Sequence, residues 1–219
     1  MSLLDDVSDR GAELRARVHE LFARHDYPSN IKNRVLAGYI AIALEHHKSI
    51  WLLKDNGLRG SALALVRTVL DPWLRALWVN ACATDEQIEQ AWLDKLQFPK
   101  MHEMRADIQQ AYFGHAEQDA EFAAIVKKFF KVIRKAWRIT SSYTHSGGRQ
   151  IARRFTGDEV KPNYTDVETA QALNLATIAL MLLMRAFFMS MGKQPEADEV
   201  ERLLTRYFAE FNERLNKGQ

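Results

Sequence analysis

Thr165-Asp-Val-Glu168-Thr-Ala-Gln-Ala172-Leu-Asn-Leu-Ala-Thr-Ile-Ala-Leu-Met-Leu-Leu-Met184-Arg185-Ala-Phe-Phe-Met-Ser-Met-Gly192 is the stretch that decides the fold. Thr165 with Glu168 reads as a capping box, in which two orphan amides at a helix start are satisfied reciprocally. From Ala172 to Met184 no residue is charged, and Arg185 closes the run. An uncharged stretch of that length is too short for a bilayer span and suits a helix buried in a protein core. Gly192 marks its end.

Helical periodicity dominates on both sides of this stretch. Leu14, Val18, Leu21 and Phe22 mark a first helix, stopped near Tyr27-Pro28-Ser29-Asn30. Val35, Tyr39, Ile42, His46, Ile50 and Leu53 line one side of a second, which ends at Gly57. A third runs from about Gly60 through Leu63, Val66, Leu70, Trp73, Leu77 and Trp78. Pro72 lies inside it and predicts a kink, because an amide donor to the preceding turn is missing. Thr84 with Gln87 is a capping box for a short fourth helix to about Gln97. Pro99 resets the chain before a fifth helix over Met101 to Phe113, closed by Gly114. A sixth covers about Asp119 to Tyr143. The last opens at Pro195 and carries Val200, Leu203, Leu204, Tyr207, Phe208, Phe211 and Leu215 on its apolar face. There is no alternating strand-like run, internal repeat or low-complexity linker. The expectation is an all-α, single-domain helical bundle of about seven to eight helices over residues 1–219, one kinked at Pro72. The stretch at about 146–164 reads as a long irregular loop, a length usually functional or mobile.

Composition fits that class: 219 residues, 47% hydrophobic and 26% charged, enough for one well-buried core and not disordered. Cys82 is a lone cysteine, unable to form an internal disulfide, which points to a reducing compartment. Met1-Ser2-Leu3-Leu4-Asp5-Asp6 places acids where a signal peptide carries basic residues. A cytoplasmic protein with no membrane partner is expected.

Net charge is +2, from 30 basic and 28 acidic residues, and it is unevenly spread. Lys127, Lys128, Lys131, Arg134, Lys135, Arg138, Arg149, Arg153 and Arg154 are nine basic residues with no acid between them, so the remainder holds 21 basic against 28 acidic, a charge of −7. Such asymmetry points to an anionic partner. Lys127, Lys131, Arg134 and Arg138 follow 4, 3, 4 spacing and form one stripe, flanked by Lys128 and Lys135. Phe129, Phe130, Val132, Ile133, Ala136 and Trp137 fill the other side. Like charges at i,i+4 repel, so stability alone does not favour this pattern. A phosphate-binding track explains it, as does a merely solvated face. Beyond lies Arg138-Ile-Thr-Ser-Ser-Tyr143-Thr-His145-Ser-Gly-Gly-Arg149. Two glycines let the backbone approach a ligand closely. Histidine moves protons near neutral pH, and arginine offers a planar fork to phosphate oxygens. An imidazole beside a guanidinium is a minimal set for cleaving RNA without a metal, by proton transfer and phosphorane stabilisation.

An arginine and a histidine with six residues between them, at the end of one helix of an all-α domain, resemble the HEPN superfamily (higher eukaryotes and prokaryotes nucleotide-binding). That resemblance implies RNA binding and metal-independent ribonuclease chemistry of a bacterial defence or toxin–antitoxin system, with a composite site in a homodimer. It implies that Arg138 holds the scissile phosphate and His145 handles protons. Leu58-Arg59-Gly60-Ser-Ala-Leu-Ala-Leu-Val-Arg67-Thr-Val-Leu-Asp71 is similar to uncharacterised abortive-infection-type helical proteins, in which an arginine and an acid precede a later histidine. It implies that Asp71 orients His145 and Arg67 adds a phosphate contact, beside the reading of a simple i,i+4 ion pair. Tyr143 and Arg149 complete the supporting set. Lys127, Lys131, Arg134, Lys135, Arg153 and Arg154 are the candidate nucleic-acid contacts.

Other signals carry less. His46-His47 beside Glu45 lacks a second cluster of ligand spacing, so a structural role is favoured and no metal or cofactor is expected. His19, His25, His102 and His115 are isolated. Cys82 near Trp78 reads as core filler. Trp51, Trp73, Trp78, Trp92 and Trp137 read as packing residues. Two alternatives stand beside the RNA reading. One is a non-catalytic module binding a protein partner, such as an antitoxin, or a nucleotide; the other is a structural homo-oligomer.

Overall fold

A computed structural model describes residues 2–24, 30–113 and 120–217. The helices are α1 (Leu3–Ala23), α2 (Ile31–Asp55), α3 (Arg59–Ala81), α4 (Asp85–Trp92), α5 (Met101–Phe113), α6 (Ala120–Thr144), α7 (Gly148–Ala152), α8 (Asp166–Ser190) and α9 (Gln194–Lys217). The chain is an all-α bundle built on one continuous hydrophobic core. The bounds at Gly114, Asp119 and Tyr27-Pro28-Ser29, with His25 and His115, lie outside the described residues.

α8 is the axis of the bundle. It packs against α1, α2, α3 and α9, and nearly every residue from Thr169 to Phe188 is buried. It is long and apolar enough to cross a membrane by composition, yet 89% of its most apolar window is covered by the chain's own helices. Arg185, the charge that interrupts the apolar run, is 3% exposed and pairs with Glu201 of α9 at 2.5 Å. A buried cation needs such a partner.

Caps set the helix starts. Ser2 with Asp5 and Thr84 with Gln87 form complete capping boxes, and Asn30 accepts from the amide of Asn33 at 2.8 Å. Thr165 accepts from the Glu168 amide at 3.1 Å, but the expected box is only half formed because the Glu168 carboxylate is bonded elsewhere. α3 runs unbroken through Pro72.

Several expectations need correction. Residues 146–164 are not wholly irregular: they hold the single-turn α7 and a hairpin of β1 (Phe155–Thr156) and β2 (Glu159–Val160), antiparallel, with Phe155 opposite Val160. The fourth helix stops at Trp92, five residues short of Gln97, where Asp94 takes a positive φ of 55°. Trp92 is exposed and not part of the core. α2 buries a broader face than expected, with Val35 and Ile50 buried as foreseen. Leu36, Ala43 and His47 point inward, whereas Ile42 is exposed.

His47 is fully buried, stacked on Trp51 at 4.3 Å between ring centroids, with Nε2 3.0 Å from the Thr177 hydroxyl. Burial, with Arg15 as a lesser cause, pushes its pKa down to about 3. Trp51 is also fixed by its indole N–H donating to the Ser8 carbonyl at 2.6 Å. It sits so close to α1 that a Cβ on Gly11 would lie 2.2 Å from its Cζ2.

Two outcomes follow for stability. Gly11→Ala normally gains about 1 kcal/mol of helix propensity. Here the clash with a doubly held tryptophan should reverse the sign and cost about 1–3 kcal/mol in urea denaturation. His47 stays neutral in the folded chain while the unfolded chain protonates it below its ordinary 6.5. Stability should therefore fall as pH drops from 6.5 towards about 3, by up to about 1.4 kcal/mol per pH unit from this group. A His47→Leu variant should show a flatter profile over that window, and an unchanged slope refutes the assignment.

Candidate functional site

α6 rests on α3, where Phe129 and Phe130 meet Trp73; Val126 and Ile133 are buried as well, and this packing turns the basic residues outward. Lys127, Lys131, Arg134 and Arg138 are all exposed, with Lys128 and Lys135 exposed beside them. His145 is the first residue beyond α6, but its amide still bonds the Ser141 carbonyl at 3.0 Å, so it keeps the helical register. Seven residues after Arg138 is two turns, roughly 10.5 Å along the axis and nearly the same angular position. His145 thus continues the basic stripe and is exposed. Neither Arg138 nor His145 has a side-chain hydrogen bond or ion pair among the described residues.

The chain then turns sharply. Ser146 adopts φ 52°, the Gly147 amide donates to the Ser142 carbonyl at 2.7 Å, and a Cβ on Gly147 would meet Ser142 Oγ at 2.6 Å and its backbone at 3.2 Å. Only glycine tolerates that approach. The turn carries Arg149 into α7, its amide 3.3 Å from the Ser142 hydroxyl and its side chain exposed.

Arg67 and Asp71 form a two-contact ion pair, with Nε and Nη2 each 3.1 Å from a carboxylate oxygen. The guanidinium lies 3.2 Å from the ring centroid of Trp137, an arrangement that binds α3 to α6. Thr144 adds a second tie, donating its hydroxyl to the Ala64 carbonyl at 2.9 Å. The expected contact of Asp71 with His145 is absent. Both carboxylate oxygens serve Arg67, and the pair acts as a helix-to-helix fastening.

On another side of α6, Tyr143 donates its hydroxyl to Glu168 Oε1 at 2.7 Å, and Arg153 Nη2 lies 2.9 Å from Glu168 Oε2. Burial, then the Glu168 carboxylate, pushes the Tyr143 pKa up to about 12. Arg153 is thereby committed to a carboxylate, while Arg154 is exposed beside Gly60. A Cβ on Gly60 would lie 2.5 Å from the Tyr164 hydroxyl and 3.0 Å from Arg154 Nη2. Arg59 closes the segment, bonding the Tyr164 carbonyl at 3.0 Å and Asp166 at 2.8 Å.

Tyr143, Arg149 and Arg153 open onto a groove of about 860 Å³ between α6, α8 and α9, together with Lys128 and Lys135. Arg67, Asp71, Arg138 and His145 do not line it. The candidate residues therefore divide between two sides of α6. The groove residues Glu168, Asn174 and Phe208 escaped sequence reasoning. Phe208 was legible only as an apolar helix face, and Glu168 only as a cap. A polar Asn174 inside an apolar run was the available signal. Among the described residues no group of three or more His, Cys, Asp or Glu is placed to hold a metal.

A family model described as a family of unknown function (DUF6988) matches residues 40–213, and the chain belongs to that family. No curated protein and no solved structure matches the chain.

Glu168→Ala should free both Tyr143 and Arg153 and loosen residues 148–164. The expected result is faster tryptic cleavage after Arg149, Arg153 or Arg154, with a loss of about 1–3 kcal/mol in global stability from the unpaired groups. Unchanged cleavage kinetics would show that Glu168 does not anchor the segment.

Proposed function

We propose that this member of DUF6988, a family of unknown function, is an RNA-binding domain of HEPN type acting as a homodimer. The observation that supports it best is the exposed row Lys131, Arg134 and Arg138 running into His145, none paired with an acid among the described residues. A row of unneutralised cations at helical spacing follows a phosphate backbone, displacing its counterions. Adjoining it, Arg138 and His145 supply a guanidinium and an imidazole facing the same solvent.

The chemistry this pair would perform needs no metal. The 2′-oxygen attacks phosphorus, its proton passes to a base, and the bond to the 5′-oxygen breaks as that oxygen gains a proton. The products are a 2′,3′-cyclic phosphate and a free 5′-hydroxyl. One imidazole per chain serves one of the two proton transfers, so a second copy of the chain would supply the other. Arg138 would hold the phosphoryl oxygens as charge accumulates on them. A nuclease of this kind would suit bacterial defence or toxin–antitoxin biology.

Labelled single-stranded RNA titrated across a salt series tests binding. The logarithm of affinity should fall linearly with the logarithm of salt, and Arg134→Ala should reduce the slope by about 0.7 to 1. His145→Ala should abolish cleavage and leave affinity little changed. Salt-independent or absent binding overturns the RNA reading, and equal cleavage by wild type and His145→Ala overturns the catalytic one.

A further inference from the structure

Gly38 is a residue that the chain by itself does not explain. It stands exposed inside α2, and a Cβ built on it would meet nothing within 4 Å. A glycine inside a helix costs about 1 kcal/mol relative to alanine. Neither a positive φ nor a close neighbour requires one here. The close approach of a partner is what such a glycine serves.

The surroundings of Gly38 fit that use. Arg34, Gly38, Ala41, Ile42 and Glu45 are exposed and fall within roughly 100° of one another around the helix. Of the eleven large apolar side chains exposed among the described residues, five belong to α2 or to α4, which packs against it: Ile31, Ile42, Leu52, Trp92 and Leu93. Such a gathering marks an interaction surface. The charges select its occupant. Arg34 and Glu45 have no side-chain hydrogen bond or ion pair among the described residues. When α2 is laid antiparallel on a second α2, with the two-fold axis midway between Tyr39 and Ile40, each residue faces the one equally far beyond the axis. Arg34 then faces the partner's Glu45, and Glu45 faces the partner's Arg34. Gly38 meets the partner's Ala41 at the crossing, where small side chains let the axes approach to about 8 Å. Sliding one helix by a turn sets Arg34 opposite Ser49 and Glu45 opposite Gly38, which loses both charge pairs. The stripe is therefore complementary to itself in one register, as a two-fold contact requires.

We propose that two copies of this chain associate through α2, antiparallel about Gly38 and Ala41, held by reciprocal Arg34–Glu45 pairs and by Ile42. One helix pair is at the small end of specific interfaces, so association in the micromolar range is expected. The contact goes beyond the RNA reading and does not rest on it, since the α2 stripe includes none of the α6 residues. Pairing through α2 and pairing at His145 are separate contacts.

Sedimentation equilibrium of the full chain, without RNA, tests this. The wild type should pass from monomer to dimer at micromolar concentrations. Arg34→Glu and Glu45→Arg should each weaken dimerisation by about tenfold or more. The variant carrying both should recover it, because each pair is rebuilt with its charges exchanged. Gly38→Leu should keep or raise the urea midpoint measured on dilute protein, since the position is open in the single chain and leucine is the better helix former. The same variant should lose the dimer. A wild type that stays monomeric up to about 1 mM, a Gly38→Leu protein that still dimerises, or a double variant no tighter than the single ones overturns the proposal. The RNA affinity of monomeric Gly38→Leu reports on the RNA reading alone, so the two can fail separately.

Discussion

Burial of α8 on nearly all sides is the constraint on which the rest of the molecule depends. Each fully buried Leu, Ile, Met or Phe on it contributes roughly 1.5–3 kcal/mol, so the sum over Leu173 to Phe188 dwarfs any single polar contact. That gain requires neighbours around the full circumference, and α1, α2, α3 and α9 supply them. With those positions taken, α6 leans mainly on α3, with lesser contact to α5 and α7. Its packing therefore uses one face, and the groove is the space that remains between α6 and the α8–α9 pair.

A helix so deeply placed has to account for each polar atom it carries. Thr169 and Thr177 return their hydroxyls to carbonyls one turn earlier, at 2.9 and 3.1 Å. Thr177 also meets His47, and Arg185 meets Glu201. Asn174 is the member whose Oδ1 finds nothing among the described residues.

The long elements were legible because their apolar spacing repeats over many turns. The fifth helix falls on Met101–Phe113 as expected, and the last is marked by its Val200–Tyr207 face. α2 was harder because apolar residues occur all round it, so Ile42 and Leu36 compete for the same face and only packing decides. The exposed stripe ending at His145 was visible as spacing alone. The Arg67–Asp71 pair was legible as i,i+4 spacing, whereas the partners of Glu168 were not, because its reading as a local cap hid a distant contact. A groove is harder still, since it records helices that fail to touch, and no residue pattern encodes a missing contact.

The connection between α6 and α8 leaves and returns at nearly one place. Thr144 is tied to Ala64 and Tyr164 to Arg59, both near the start of α3. Its far end is the hairpin tip, where Gly157 takes φ 61° and both flanking strands are exposed. Because the ends are pinned, added length at that tip is felt only as loop entropy, about 0.6 kcal/mol per doubling. Gly157–Asp158 is accordingly a port at which an epitope or a reporter domain can be spliced without disturbing the bundle.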